Sequence, residues 1–522
     1  MSNSGVTELS DTAVDVVVIG LGPVGITLCN ILGSLGIRML GIDARESIYA
    51  LPRAIGMDHE VMRVFQNIGV ADDLAGVVAE YRDSVYRAAD GALLRHFTSP
   101  PPPYRLGWPA YLTFIQPELE KTLRAKANAC ECIMLRTGVE AIGLTRPVAP
   151  RLTLRDTSTG EIAALDARFV VGCDGGASFV RRSLEIKFED LIFDQPWLVV
   201  DVILGDAAID LPETNVQYCH PARPHTFVVC PGRLRRWEFM LLPGETADEV
   251  NRPERVWTLL SPWIKPSEAE IWRSATYRFH ALVAEKWRVG NVFLAGDACH
   301  MTPPFLAQGM VQGIKDAANL GWKLAYVLKG APDALLDSYE QERRPLVHKV
   351  ISITKELGEV ICEIDEEKAK TRDEKLKSLV LQGKGTQVRQ ELFPPICEGL
   401  IARNAAGEPM PGAGECCPQP HVRVDDRWVR LDDLAGSGFA LLTCGFTISQ
   451  SNRERGNQFG IIVHEFSAEG LTEEDGVLGD WLSSVNARAV LIRPDHVVFG
   501  VAFDDEGLGE LFEQLEQGLR LL

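Results

Sequence analysis

Three stretches of this chain combine residue types and spacings suited to holding a nucleotide. The first is Gly20, Gly22 and Gly25 in the G-x-G-x-x-G spacing, with Pro23 inside it. Glycines there allow a tight turn against a pyrophosphate, and Asp43, 18 residues after Gly25, offers an acceptor for a ribose hydroxyl. Asp rather than Arg at 43 favours FAD or NAD over NADP. The second stretch is Asp174-Gly175 with Ser178 and Arg181 at fixed offsets. The third runs from Gly296 and Asp297 through His300, Pro303 and Pro304 to Gly309. Gly296 permits close backbone approach, and Asp297 could accept from a polyol hydroxyl. Pro303 and Pro304 stiffen the loop and remove two N–H donors, while Gly309, Met310 and Val311 open a helix with donors unpartnered inside it. Such a helix N-terminus favours an anion.

The elements needed to position these groups are legible around them. Asp15 to Gly20 is an apolar strand of the kind a doubly covered parallel sheet requires; a helix over Val24 to Leu35 and a strand from Ile37 to Ile42 follow. Asn291 to Ala295 predicts another buried strand, and Met310 to Leu328 a helix. Any of these motifs alone could be a ligand-free turn; strand before, helix after and acid at the second strand's end argue together for a dinucleotide. Ala44 and Arg45 beside Asp43, Arg53 in Pro52-Arg53-Ala54, and Gln116 opening a helix with proline in its first turn join the expected cofactor contacts.

Runs at 133–135, 139–144, 152–155 and 161–165 predict an antiparallel flap on the nucleotide unit. Residues 190–280 predict a second sheet, with Asp201, His220, Arg223, His225, Arg236 and Tyr277 able to reach a phenol or carboxylate. A solvated strand edge or a structural hydrogen bond is the plainer reading of each. A long helix is expected over 334–364, a charged helix or connector over 365–389, a linker from about 394, and a small α/β unit to the end. Cys444 has no nearby partner cysteine, which argues against redox chemistry there.

With 522 residues, two or three domains are expected. A net charge of -19 argues against nucleic acid or an acidic membrane surface as partner. No apolar run approaches membrane-spanning length and Met1 to Thr12 is too polar for a signal peptide, so a cytoplasmic protein is expected. Its twelve cysteines lack zinc-site spacing and read as reduced thiols, with no metal expected.

The order and spacing of the three motifs resemble the single-component flavoprotein aromatic hydroxylases, nearest to the 3-(3-hydroxyphenyl)propionate hydroxylase and phenol hydroxylase branch. Pro52-Arg53-Ala54, Gln116 to Glu120, Arg236 to Glu245 and Asp337 to Pro345 carry the same likeness, which covers about residues 14 to 350. The resemblance implies an α/β fold: a Rossmann-like FAD-binding domain over 14–190 and 281–395, an inserted β-sheet substrate domain over 191–280, and a thioredoxin-like C-terminal domain over 396–522. It implies non-covalent FAD, NADH or NADPH as transient co-substrate, since no second glycine fingerprint exists, and O2. Hydroxylation of a phenol next to its existing hydroxyl, through a flavin C4a-hydroperoxide, is the expected reaction. His220, Arg223, Tyr277, Pro303 and Pro304 are the expected substrate-side residues, and a homodimer the expected assembly. A flavin epoxidase or ring-opening oxygenase acting on a polyketide or heteroaromatic is the alternative; full retention of Asp174, Gly296 and Asp297 speaks against a non-enzymic carrier of related fold. The chain departs from the family pattern at Ala307, usually glycine, and Val311, usually asparagine.

Overall fold

The computed structural model describes residues 6–11, 14–81, 83–445, 447–467 and 470–521. One half is built on a six-stranded sheet in the order Arg288–Val289, Val292–Leu294, Phe169–Gly172, Val16–Ile19, Met39–Asp43 and Ile133–Thr137. All neighbours but the first pair run parallel. The inner strands are apolar along their whole length because both faces of the sheet are buried. The Ile133 strand, expected in the flap, instead pairs with Met39–Asp43 at the edge of this sheet. The flap is therefore three-stranded, formed by Val139–Thr145, Arg151–Asp156 and Ile162–Asp166.

Helices Pro23–Ser34 and Gln308–Leu328 cross at close range in this half. A Cβ at Gly313 would lie 2.5 Å from Val24 and 3.0 Å from the Gly296 backbone, so glycine lets the long helix press onto both nucleotide loops. The expected long helix is a short 3-10 turn, Asp333–Leu336, running into Asp337–Ile361.

The other half is a nine-stranded, mainly antiparallel sheet. Its centre is His225–Val229, Leu234–Met240, Phe188–Leu204 and the 16-residue Ala269–Ala284. Strands from outside 191–280 extend it: Asp83–Arg87 and Leu93–Thr98 on one side, His300–Met301 on the other, and Thr386–Val388 at the far edge. One face packs Leu198, Val200, Phe227, Trp237 and Phe239 against Val256 and Leu260 of a short helix. The charged connector is a helix, Glu366–Leu381, feeding that edge strand.

The C-terminal unit has a four-stranded sheet, Ile462–Phe466, Ala440–Cys444, Ala489–Ile492 and Val498–Ala502, whose first pair is parallel and whose others are antiparallel, with helix Asp505–Leu521 closing the chain. This is a thioredoxin-like arrangement without a cysteine pair: Cys444 is exposed and all twelve cysteines are free thiols. Buried ion pairs fasten the unit. Glu342 accepts from Arg493 at 2.8 and 3.0 Å and pairs with Lys323 at 2.9 Å, and Arg63 makes a forked pair with Asp432 at 2.7 and 2.8 Å. Burial lowers Lys323 to about 8 despite the Glu342 beside it. Among the described residues no helix is long and apolar enough to cross a membrane.

Candidate active site

A cavity of about 430 Å³ lies between the two halves, and both contribute its walls. On the nucleotide side it is lined by Gly22, Pro23, Arg53, Gln116, Asp297, Gly309 and Met310. Gly20 adopts φ +97°, and a Cβ at Gly25 would sit 1.9 Å from the Gly20 carbonyl oxygen, so the loop closes only with glycine at both. At Gly22 and Gly309 an added Cβ meets nothing within 4 Å, which marks the open side of the cradle. Asp43 accepts from Leu21 N at 2.8 Å and Arg45 N at 2.9 Å, fastening the first glycine loop to the second strand. Gln116 accepts from the backbone N–H groups of Arg53 and Ala54 at 2.8 and 2.7 Å, which shapes that turn.

The Gly296–Ala307 loop is held from behind. Buried Asp316 on the long helix accepts from Gly296 N at 3.1 Å, His300 Nε2 at 2.7 Å and Arg343 Nε at 2.9 Å. Burial alone would raise the Asp316 carboxyl; His300 and Arg343 reverse this and hold it below its ordinary value. Asp297, in the same loop, opens onto the cavity, and the atoms crowding it raise its carboxyl. Helix Gln308–Leu328 begins without a side-chain cap, and its Gly309 and Met310 line the cavity. An uncapped N-terminus, a glycine cradle open at Gly22 and the Asp297 carboxylate together fit a dinucleotide with an anionic group at the helix start.

The opposite wall is the second face of the large sheet. Because strand side chains alternate, Asn215, Gln217, Thr226, Val228, Arg236 and Glu238 line the cavity, while Val216, Phe227, Trp237 and Phe239 enter the apolar core behind. Asp201 is fully buried and binds two guanidinium groups: Arg236 at 2.6 and 3.0 Å and Arg273 at 3.1 Å. Arg236 also donates to the carbonyls of Arg53 at 2.9 Å and Pro52 at 3.0 Å, and Arg273 to Pro52 and the Tyr277 hydroxyl. The large sheet thus grips the Pro52–Ala54 turn of the other half. Burial raises the Glu238 carboxyl against the opposing pull of Arg236. Phe279, Phe305, Tyr81 and Tyr111 supply aromatic walls.

Of the residues expected at the site, Gly22, Pro23, Arg53, Gln116, Tyr277, Asp297, Pro304, Gly309 and Met310 line this cavity. Gly20, Gly25, Asp43 and Gly296 shape its loops from behind, and Ala44 and Arg45 are exposed just beyond. His220 and Arg223 lie off the cavity, a correction to their expected substrate role. Arg223 forks onto Glu245 at 2.6 and 2.8 Å, holding that carboxyl at about 2, and His220 packs 5.5 Å from the Tyr218 ring. Both sit in the connection between two strands, where period-two alternation no longer aims a side chain inward. Asp174 does not line the cavity either: it accepts from Val180 N at 3.1 Å at a helix start. Pro303 and Val311 are buried away from the lining. Asn215, Gln217, Thr226, Glu238, Arg273 and Arg389 were not anticipated there. Polar residues at every second position of apolar strands were the available signal for the first four.

Fold and site together define a flavoprotein class. Residues 13–354 match the FAD binding domain family, and the chain belongs to it; residues 414–518 match the HcaD C-terminal domain. FAD is its cofactor. A probable NADH-specific resorcinol 4-hydroxylase of Rhodococcus jostii (strain RHA1) is 34% identical over 96% of this chain and 94% of its own length. The 3-(3-hydroxy-phenyl)propionate/3-hydroxycinnamic acid hydroxylase of Escherichia coli (strain 55989 / EAEC) is 31% identical over 98% of this chain and 95% of its own. Among solved structures, the flavin-dependent monooxygenase PieE in complex with FAD and substrate shares the fold at TM-score 0.80, with 20% identity and coverage of 98% and 99%. Aklavinone-11 hydroxylase with FAD and aklavinone does so at 0.77, with 23% identity and the same coverage.

Proposed function

We propose that this chain is an FAD-dependent monooxygenase that hydroxylates a phenolic ring next to an existing hydroxyl, using NADH or NADPH and O2. The observation that carries this reading is the single cavity joining a glycine cradle to a chamber with aromatic walls and a polar roof. Bound FAD supplies the electron transfer from the nicotinamide and the activation of O2. Gly22, Gly309, Met310, Asp297 and Arg53 hold it, with Asp43, Gln116 and Asp316 fixing their loops. Phe279 and Phe305, 6.2 Å apart edge to face, exclude water and flank a ring. Asn215 accepts from Val229 N at 2.7 Å and Gln217 from Thr226 Oγ at 2.5 Å, so their amide nitrogens remain to donate to substrate oxygens. Pro304 adds a wall without an N–H donor.

The names of both relatives favour a small hydroxylated benzene, and the Rhodococcus name makes NADH the donor to try first. A cytoplasmic setting accords with twelve free thiols. A homodimer through the C-terminal unit accords with exposed Trp428, Ile462 and Phe503 and is checked by light scattering. The decisive test is NAD(P)H consumption by the FAD-loaded protein with resorcinol, 3-(3-hydroxyphenyl)propionate and their O-methyl ethers, with product identification. Hydroxylated product matching NAD(P)H consumed is expected for the free phenols; methyl ethers hydroxylated equally well, or peroxide as the sole product, would refute the reading.

A further inference from the structure

Among the described residues seven arginines are buried, and five of them meet a carboxylate: Arg63 with Asp432, Arg236 and Arg273 with Asp201, Arg343 with Asp316, Arg493 with Glu342. Arg181 and Arg389 form no such ion pair among the described residues. Arg181 spends its guanidinium on the Ala298 and Gly176 carbonyls and the Phe188 ring, away from the cavity. Arg389 differs: it lines the cavity while only 4% exposed. It donates to Leu306 O at 2.6 Å and the Tyr81 hydroxyl at 3.2 Å, lies 4.0 Å over the Tyr111 ring, and leaves its Nε without a partner. Tyr111 cannot supply the missing negative charge, since burial pushes its hydroxyl above the ordinary tyrosine range. A buried charge with only neutral partners is costly, and carbonyl and ring contacts offset that cost only in part.

Its placement is built rather than incidental. Strand Thr386–Val388 pairs with Leu93–Thr98 at the edge of the large sheet and delivers Arg389 to the cavity wall. Leu306, its acceptor, belongs to the loop that opens the helix at Gln308, and Tyr111 donates to the same carbonyl at 3.3 Å. A counter-charge in the cavity would lie against a buried guanidinium that has no carboxylate partner among the described residues and two aromatic rings around it. We propose that Arg389 is the specificity-determining counter-charge for an oxyanion on the aromatic substrate, either a phenolate or a ring-borne carboxylate. This rests on the aromatic substrate reading above.

The test is direct binding to full-length, FAD-loaded protein, read by perturbation of the flavin spectrum, for wild type, Arg389→Gln and Arg389→Lys. The probes are resorcinol, 1,3-dimethoxybenzene, 3-(3-hydroxyphenyl)propionate and its amide. Arg389→Gln should bind the oxyanion-forming probes ~10- to 100-fold more weakly and 1,3-dimethoxybenzene within about twofold of wild type, with Arg389→Lys recovering part of the loss. A loss shared by resorcinol, the propionate and its amide assigns the phenolate; a loss confined to the propionate assigns the carboxylate. Equal weakening of every probe, loss of FAD from both variants, or no binding of any probe by wild type overturns the proposal. The charge discrimination is read without turnover, so its presence in a protein that forms no hydroxylated product would sink the proposed reaction and leave Arg389 assigned.

Discussion

The two sides of the one cavity are made in different ways. On the nucleotide side, Gly22 and Pro23 sit at the start of helix Pro23–Ser34, and Gly309 and Met310 in the first turn of helix Gln308–Leu328, so two local segments supply them. On the substrate side the polar residues come from Ser84, Asn215, Thr226, Arg236, Arg273 and Arg389, on separate elements across about 300 residues. The cradle works through backbone amides and missing side chains, so it needs glycine at fixed spacing. The chamber works through buried charge held by partners on other strands, so no spacing along the chain records it. Local sites tolerate change in what they bind; distributed sites transmit a change into the fold.

The sharpest way to break this contrast is Asp201→Ala. It leaves Arg236 and Arg273 buried without their carboxylate and should lower stability by ~3 to 5 kcal/mol, measured by urea unfolding at fixed FAD. Because both arginines also hold the Pro52–Ala54 turn, FAD affinity should fall with it. A variant that loses stability yet keeps the wild-type FAD dissociation constant would show that the two sides are independent and that the grip on this turn does not matter.

The same contrast explains what could be read in advance. The parallel sheet, the cradle and Asp297 were legible because each signal lies within a few residues of the element that presents it. The substrate sheet was legible as strands, but which face looks inward was not, since the alternation of Asn215, Gln217, Arg236 and Glu238 acquires a direction only once the other face is packed. His220 and Arg223 drew attention as reactive types, whereas the structure turns them into strand-end contacts. The strand at Ile133 follows its sequence neighbours into the flap on local pattern alone, yet its partner is Met39–Asp43, two helices earlier in the chain. Arg389 sits at the end of a charged stretch that reads as a solvated connector, and only the edge pairing of Thr386–Val388 buries it.

Gly22→Ala sharpens the other side of the comparison. Gly22 has an ordinary φ of -69°, and its added methyl meets no protein atom within 4 Å, so the apoprotein should be as stable as wild type or better by less than ~1 kcal/mol. FAD affinity should nevertheless fall by roughly tenfold, ~1.4 kcal/mol, because the space the methyl enters is the space the cofactor uses. Unchanged FAD binding would mean that the dinucleotide does not run past Gly22. Loss of apoprotein stability would instead make the glycine a folding requirement.

The smallest effect is expected at Ala307, where the chain departs from the family's glycine. Ala307 adopts φ 48° and ψ 41°, the left-handed region, as it caps helix Gln308–Leu328, and its N–H donates to Pro304 O at 2.7 Å. Alanine there carries a strain of ~1 to 2 kcal/mol, and glycine removes it while adding ~0.4 to 1 kcal/mol of unfolded-state freedom. Ala307→Gly should therefore raise stability by between ~0 and ~1.6 kcal/mol, about 0.8 kcal/mol at the middle of those ranges, and move the urea midpoint slightly upward. The backbone donors at Gly309 and Met310 are untouched, so FAD affinity should stay within about twofold of wild type. A fall in stability would show that the methyl packs usefully in the cavity wall. A clear fall in FAD affinity with stability intact would show that stiffness at this turn holds the helix N-terminus in place, making residue 307 part of the cradle through its conformation rather than its contacts.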